Sequence, residues 1–339
     1  MDQVMPEVGE GDDRLKVVYI AGSQRGGTTI LARVLGSLPG FAFGGELRRL
    51  WTLIGRGLPC GCGQPYSRCP IWSAILDEGG GFEGLSPKEI EDLQRLVAPS
   101  EHSAWQTLRV LHRAKLTPEQ ERYVGLTKAL YRSFAQETGT SVLVDSSKIP
   151  IDPALLLRSS DVTVFCLHVV RDPRGAVFAA HLGRGETLQE TARILEEDRH
   201  RALESKQVRL WRTLKTSAAW NSRHVAAAAV RRRYGSDRGS LVRYEDFVRD
   251  PQHVLARISS LVGHASAVEG FDPNAIVLPG THNPSRTGRS TSGSVALRED
   301  DRWQRHLSAI DKGLTSVMTL PLARRFGYMT NRRDGSDRN

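Results

Sequence analysis

The stretch Lys16–Leu38, KVVYIAGSQRGGTTILARVLGSL, decides how the rest of the chain is read. Lys16 to Ala21 is a short β-branched and aromatic run, the composition of a buried strand, and it stops at Gly22. From Thr29 to Leu38 the apolar residues Ile30, Leu31, Val34, Leu35 and Leu38 fall at helical spacing, and Pro39-Gly40 ends the run. Strand, glycine turn and helix in succession make a phosphate-loop arrangement. Backbone N–H groups of such a turn curl around an anion at a helix N-terminus, where free donors and the helix dipole already favour negative charge. Gly22-Ser23-Gln24-Arg25-Gly26-Gly27-Thr28-Thr29 has the length and final glycine of GxxxxGK[ST], but Thr28 stands in the lysine position. That lysine reaches the β- and γ-phosphates in triphosphate chemistry, so its absence argues against an NTPase or phosphotransferase. Arg25 supplies a cation from another position.

Outward from this loop, Ser141–Asp145 (SVLVD) and Val162–Val170 (VTVFCLHVV) read as buried strands separated by the helix-like Pro153–Arg158. Ser240–Tyr244 (SLVRY) is a further strand, and the charged stretch Glu186–Arg233 predicts one or two amphipathic helices. Pro87–Glu137 is mostly helical in pattern, with Thr117-Pro118-Glu119-Gln120 as a helix start, and Asp300–Leu307 and Val317–Phe326 predict closing helices. Gly55–Gly84, rich in Gly, Pro and Cys, reads as an excursion over the surface, and Gly280–Ser294 as a polar loop. Strands alternating with helices imply an α/β fold, a P-loop-like, mainly parallel sheet covered by helices on both faces. Residues 55–137 form a Cys/Gly-rich and helical insertion within one domain over 15–329, between a flexible N-terminus (1–14) and a disordered polar tail (330–339). In such sheets the ligand crevice lies beyond the C-terminal ends of the strands.

The chain has 339 residues, 39% hydrophobic and 25% charged, which excludes disordered and fibrous classes. Its formal charge of +9 favours anionic partners, yet the basic residues are scattered and Arg231–Arg233 is the one tight run, so a nucleic-acid partner is not expected. No apolar run is long enough to span a membrane, and Met1–Arg14 is acidic without a secretory pattern, so a cytoplasmic location is expected. Cys60, Cys62 and Cys69 crowd together, but tetrahedral closure around zinc needs a fourth ligand and none is expected nearby. No metal is therefore expected; packing cysteines or a redox-labile pair remain open, while Cys166 sits inside an apolar strand as core.

The loop segment SQRGGTTIL resembles the 5′-phosphosulfate loop of sulfotransferases that use 3′-phosphoadenosine 5′-phosphosulfate (PAPS). Further segments match that family in order: Asp145-Ser146-Ser147-Lys148, Arg171-Asp172-Pro173-Arg174-Gly175, Arg243-Tyr244-Glu245-Asp246 and Asn283-Pro284-Ser285-Arg286. The Cys60–Trp72 segment is also similar to one in bacterial sulfotransferases. Each piece is short; their order and their placement after strands make the set specific.

The resemblance implies transfer of a sulfuryl group from PAPS to an acceptor hydroxyl by direct in-line attack, with PAPS as co-substrate. Such a reaction needs a base for the hydroxyl proton and cations for charge developing on the leaving oxygen. By likeness to tyrosylprotein sulfotransferases Glu46 is the base, while Arg25 and Lys148 stabilise the leaving side. Ser23, Arg25, Gly26, Gly27, Thr28 and Thr29 hold the phosphosulfate, Arg171 the 3′-phosphate, Tyr244 approaches the nucleotide, and Arg286 is a second 3′-phosphate ligand. The family carries a serine eight positions after the Arg171 equivalent; here that position is Ala179, so one hydroxyl contact is missing or supplied elsewhere. Asp145 reads as structural, holding loop backbone or an arginine. A P-loop phosphotransferase or NTPase, or a non-catalytic nucleotide binder, is the competing reading.

Overall fold

The computed structural model describes residues 14–77, 82, 84–99, 103–182, 206–280, 282–284 and 292–329. Residues 1–13 of the N-terminal segment expected to be flexible and the C-terminal tail 330–339 lie outside this set, as does most of the Gly280–Ser294 loop, with Ser285 and Arg286.

Five strands make the central sheet: β1 (Leu15–Gly22), β2 (Phe41–Gly45), β3 (Val142–Lys148), β4 (Val162–Val170) and β5 (Gly239–Arg243). Their order is β2-β3-β1-β4-β5 and every pairing is parallel. Alternation along β1 explains why the sheet is covered on both faces. Val17, Tyr19 and Ala21 join one apolar cluster, whereas Val18 and Ile20 join another on the opposite face. The first cluster is filled by the insertion helices and by Ala227, Val230 and Tyr234 of the helix Lys206–Tyr234; the second by the helices Thr28–Leu35 and Pro251–Leu261 and the small β-ribbon Ile276–Leu278/Gly293–Val295.

Several elements differ from their sequence reading. β2 is an added strand: FAFGG carries two glycines and no β-branched run, and it forms because it pairs along β3 at the sheet edge. β3 continues past Asp145 to Lys148, where the β1 pairing shifts register between Tyr19 and Ala21. The described part of the charged stretch is one long helix, Lys206–Tyr234, and the closing helices are Trp303–His306 and Ala309–Arg325, the latter running through Pro321.

Gly55–Gly84 is not a surface excursion. Cys60, Tyr66, Cys69, Trp72, Ile75 and Phe82 are buried in the larger cluster, and Trp72 packs against Phe134 with ring centroids 5.4 Å apart. Turn-forming glycines and prolines masked an apolar set spaced too irregularly to show a period. The helix start at Thr117 is as read: its hydroxyl accepts from Gln120 N–H and the Gln120 side chain accepts from Thr117 N–H.

Candidate functional site

Because all five strands run parallel, their C-terminal ends open on one edge, and each delivers a candidate residue there. β1 runs into the glycine loop, β2 into Glu46, β3 ends at Lys148, β4 leads to Arg171 and β5 to Tyr244. Together they line a cavity of about 970 Å³. Ten cationic side chains and three acidic ones, Glu46, Glu91 and Asp300, face it, which makes it a receptacle for a strongly anionic ligand.

The loop is held in an unusual backbone. Arg25 adopts φ +63°, a left-handed conformation that residues with a Cβ rarely occupy. Gly27, at φ +77°, precedes the helix Thr28–Leu35, whose N-terminus has no side-chain cap. A Cβ on Gly27 would lie 2.1 Å from the Tyr244 ring, so only glycine lets the loop and that tyrosine meet. Tyr244 also lies beneath the Arg171 guanidinium, 4.8 Å from its ring centroid. Arg25, Gly27, Thr28 and Thr29 line the cavity. Ser23 and Gly26 are not among the lining residues; the Ser23 hydroxyl instead faces His224 Nε2 at 3.2 Å, and His224 Nδ1 meets His168 Nε2 at 2.9 Å. Both histidines are fully buried. Burial lowers the pKa of each, that of His168 to about 3, so the pair is neutral and ties the loop to β4.

Arg171 is buried and donates to the Arg25 carbonyl (3.2 Å) and to the carbonyl and carboxylate of Asp300 (2.9 and 3.1 Å). It thus sits against the loop that Arg25 belongs to, and both arginines line the same cavity. The RYED segment explains the placement. Glu245 accepts from the Asp172 amide at 3.0 Å and from Tyr328 OH, while Trp220 Nε1 donates to the Arg171 carbonyl at 3.2 Å. Asp172 in turn caps the helix Pro173–His181. Ala179 lines the cavity, and His181 pairs with Thr213 at 3.0 Å.

Lys148, at φ +72°, donates to Glu46 Oε1, and Arg49 donates to Glu46 Oε2 at 3.2 Å. Burial alone would raise the Glu46 pKa, but Lys148 and Arg49 outweigh it and hold the carboxyl below its ordinary range. Glu46 is therefore ionised at neutral pH, opposite in direction to the upward tuning a strong base requires. The pair is aligned from beneath. Asp145 Oδ1 accepts from the Ser147 amide and hydroxyl, Oδ2 accepts from Tyr131 OH at 2.8 Å, and the Ser147 hydroxyl accepts from the Arg48 amide at 3.0 Å. Asp145 thus holds loop backbone, not an arginine.

Arg223 is a residue that sequence reading missed. It lines the cavity from the middle of the helix Lys206–Tyr234, and its Nη1 is buried with no hydrogen-bond partner among the described residues. Nothing local marks it, because it is one arginine among many on a charged helix. The fourth group near the cysteines was also missed. His282 Nδ1 stands 3.1 Å from Cys69 Sγ, although it lies 213 positions further along the chain. The expectation that no fourth ligand stands nearby is thereby corrected: sequence distance hid a spatial neighbour.

No protein-family model matches the chain, and no curated protein matches it. Solved structures do. The sulfotransferase domain of the Synechococcus PCC 7002 olefin synthase is 17% identical, with 95% of this chain and 98% of that one covered and a TM-score of 0.38. The sulfotransferase domain of the curacin biosynthetic pathway is 15% identical over 93% and 98% of the two chains, TM-score 0.41. Sulfotransferase STF9 from Mycobacterium avium is 15% identical over 95% and 79%, TM-score 0.43. At such identities and scores, the functional reading rests on the residues of the site itself.

Proposed function

We propose that this chain is a PAPS-dependent sulfotransferase, transferring a sulfuryl group to a hydroxyl of an acceptor in the cytoplasm. One observation carries the reading: Arg25, Lys148, Arg171, Glu46 and an uncapped helix N-terminus meet at the edge of one cationic cavity. PAPS bears two separated anionic groups, and the cavity lining carries Arg25, Lys148 and Arg171 to meet them. The amides at Gly27–Thr29 face the 5′-phosphosulfate, while Arg171 faces the 3′-phosphate. Arg286, outside the described residues, is the second ligand proposed for that phosphate.

In this mechanism the acceptor oxygen attacks sulfur in line. The bond from sulfur to the bridging oxygen breaks, and the bisphosphate leaves with that electron pair. Arg25 and Lys148 stabilise the charge growing on the leaving oxygen, and Glu46 takes the hydroxyl proton. The Lys148–Glu46 ion pair couples these tasks. When the donor's sulfuryl group draws Lys148 away, Glu46 loses the larger of the two cationic influences that depress its pKa, keeping Arg49, and becomes the stronger base. The base is thus strengthened only when donor is bound.

An NTPase reading requires a lysine in the loop, and here Thr28 holds that place while Lys148 comes from β3. The test is transfer of labelled sulfuryl from PAPS to a panel of phenol, sugar, lipid and peptide hydroxyls without Mg²⁺. Transfer that is abolished in Arg25→Ala and Glu46→Ala supports the reading. Mg²⁺-dependent ATP hydrolysis without any transfer from PAPS refutes it.

A further inference from the structure

Cys60, Cys62, Cys69 and His282 place one ligand atom each within 4.8 Å of one another. We propose that these four residues bind a structural zinc ion, a Cys₃His site separate from the catalytic cavity, which none of them lines. The geometry fits. Zinc–sulfur bonds of about 2.3 Å and zinc–nitrogen bonds of about 2.0 Å set tetrahedral edges of roughly 3.4–3.8 Å. Cys60 Sγ and Cys69 Sγ are 3.6 Å apart, the length of such an edge, and Cys69 Sγ to His282 Nδ1 is 3.1 Å, a few tenths shorter than one. Cys62 is exposed, and its sulfur lies within 4.8 Å of the other three ligand atoms.

The backbone is built to hold these groups together. Cys60 N–H donates to the Gln64 carbonyl and Gly63 N–H returns to the Cys60 carbonyl, each at 2.8 Å, closing a tight turn around the C-x-C pair. Cys60 forms a β-bridge with Pro284, Gly61 N–H donates to the Asn283 carbonyl at 3.0 Å, and Trp72 Nε1 donates to the His282 carbonyl. The three cysteine ligands are free of disulfides, and the zinc would be held by three thiolates and a neutral imidazole, with three thiol protons released to solvent.

The site has a consequence for the catalytic edge. It pins Asn283 and Pro284 against Gly45, the residue before Glu46: a Cβ on Gly45, at φ +83°, would lie 2.7 Å from the Asn283 Cβ. Zinc therefore clips two distant segments together directly behind the residue assigned as base, and it closes all four coordination positions with protein, the mark of a structural ion.

The test needs no acceptor and no activity. The full chain, purified with reductant and without chelator or metal-affinity steps, is measured for metal by mass spectrometry and after exchange with Co²⁺. The proposal expects one zinc per chain and a tetrahedral cobalt spectrum with thiolate charge-transfer bands. Cys62→Ser and His282→Gln change partly exposed positions; both should retain far-ultraviolet circular dichroism yet lose zinc to a chelator at least tenfold faster. Cys166→Ser, a buried cysteine outside the cluster, should keep the ion. Zinc-supplemented, reduced protein that binds none would overturn the assignment. So would octahedral cobalt, unchanged zinc retention in both ligand variants, or a Cys60–Cys69 disulfide as the stable form under reductant.

Discussion

Replacing Asp145 by Asn removes a carboxyl that burial holds far from its ordinary behaviour. Burial, with repulsion from Asp152, pushes its pKa up to about 6 from 3.8, against the pull of hydrogen bonds from Ser147 and Tyr131. The unfolded chain releases this proton near the ordinary value, whereas the folded chain retains it until about pH 6. Between those limits the folded state binds the extra proton, so stability is greatest below the unfolded pKa and falls as pH rises through the folded one. The rise from 3.8 to about 6, at 1.36 kcal/mol for each tenfold change in proton affinity, makes the full loss about 3 kcal/mol. Asn preserves the shape: its oxygen still accepts from Ser147, and its amide donates to Tyr131 OH in place of the reverse bond. Urea unfolding of both proteins at pH 4.5 and 7.5 should show the variant gaining about 2 kcal/mol on the wild type over that interval, the rest of the loss falling below pH 4.5. A difference between the two proteins that is the same at both pH values would refute the reasoning.

Lys148→Met should cut the transfer rate roughly 10²–10³-fold, as for loss of an oxyanion donor. It should also move the acid limb of the pH–rate profile upward, because burial then opposes Arg49 alone, without the lysine that lowered Glu46 most; a limb that stays in place would contradict the ion-pair coupling. Gly27→Ala, forced to φ +77° against the Tyr244 ring, should cost roughly 1–3 kcal/mol of stability or more and abolish stabilisation of the fold by adenosine 3′,5′-bisphosphate in thermal melts. Arg223→Gln should weaken calorimetric binding of the same bisphosphate about tenfold or more, the scale of one charged hydrogen bond, since its buried Nη1 has no partner among the described residues.

The phosphate loop was legible because strand, glycines and helix adjoin in sequence, and β3, β4 and β5 because apolar β-branched runs mark buried parallel strands. Arg25, Lys148 and Arg171 could be placed together from topology alone: a residue after a parallel strand falls on one edge. What stayed hidden depended on packing. β2 has no strand composition and forms because β3 offers it an edge; Trp72 and Cys69 are buried although their neighbours are turn formers. Arg223 and His282 act at a distance from the motifs they join, and no local pattern announces either. The direction of the Glu46 shift was equally invisible, since it depends on Lys148 and Arg49 reaching the same carboxylate.

The central claim is that one cavity recognises two separate anionic groups of an adenosine nucleotide. Isothermal titration of wild type and Arg171→Ala with adenosine 3′,5′-bisphosphate and with adenosine 5′-phosphate tests it most directly. The account predicts that wild type binds the bisphosphate more tightly, and that losing Arg171 costs it about 1.5–3 kcal/mol, roughly 10- to 150-fold, while 5′-phosphate binding barely changes. Equal affinity of the wild type for both nucleotides, or equal losses for both in the variant, would contradict it.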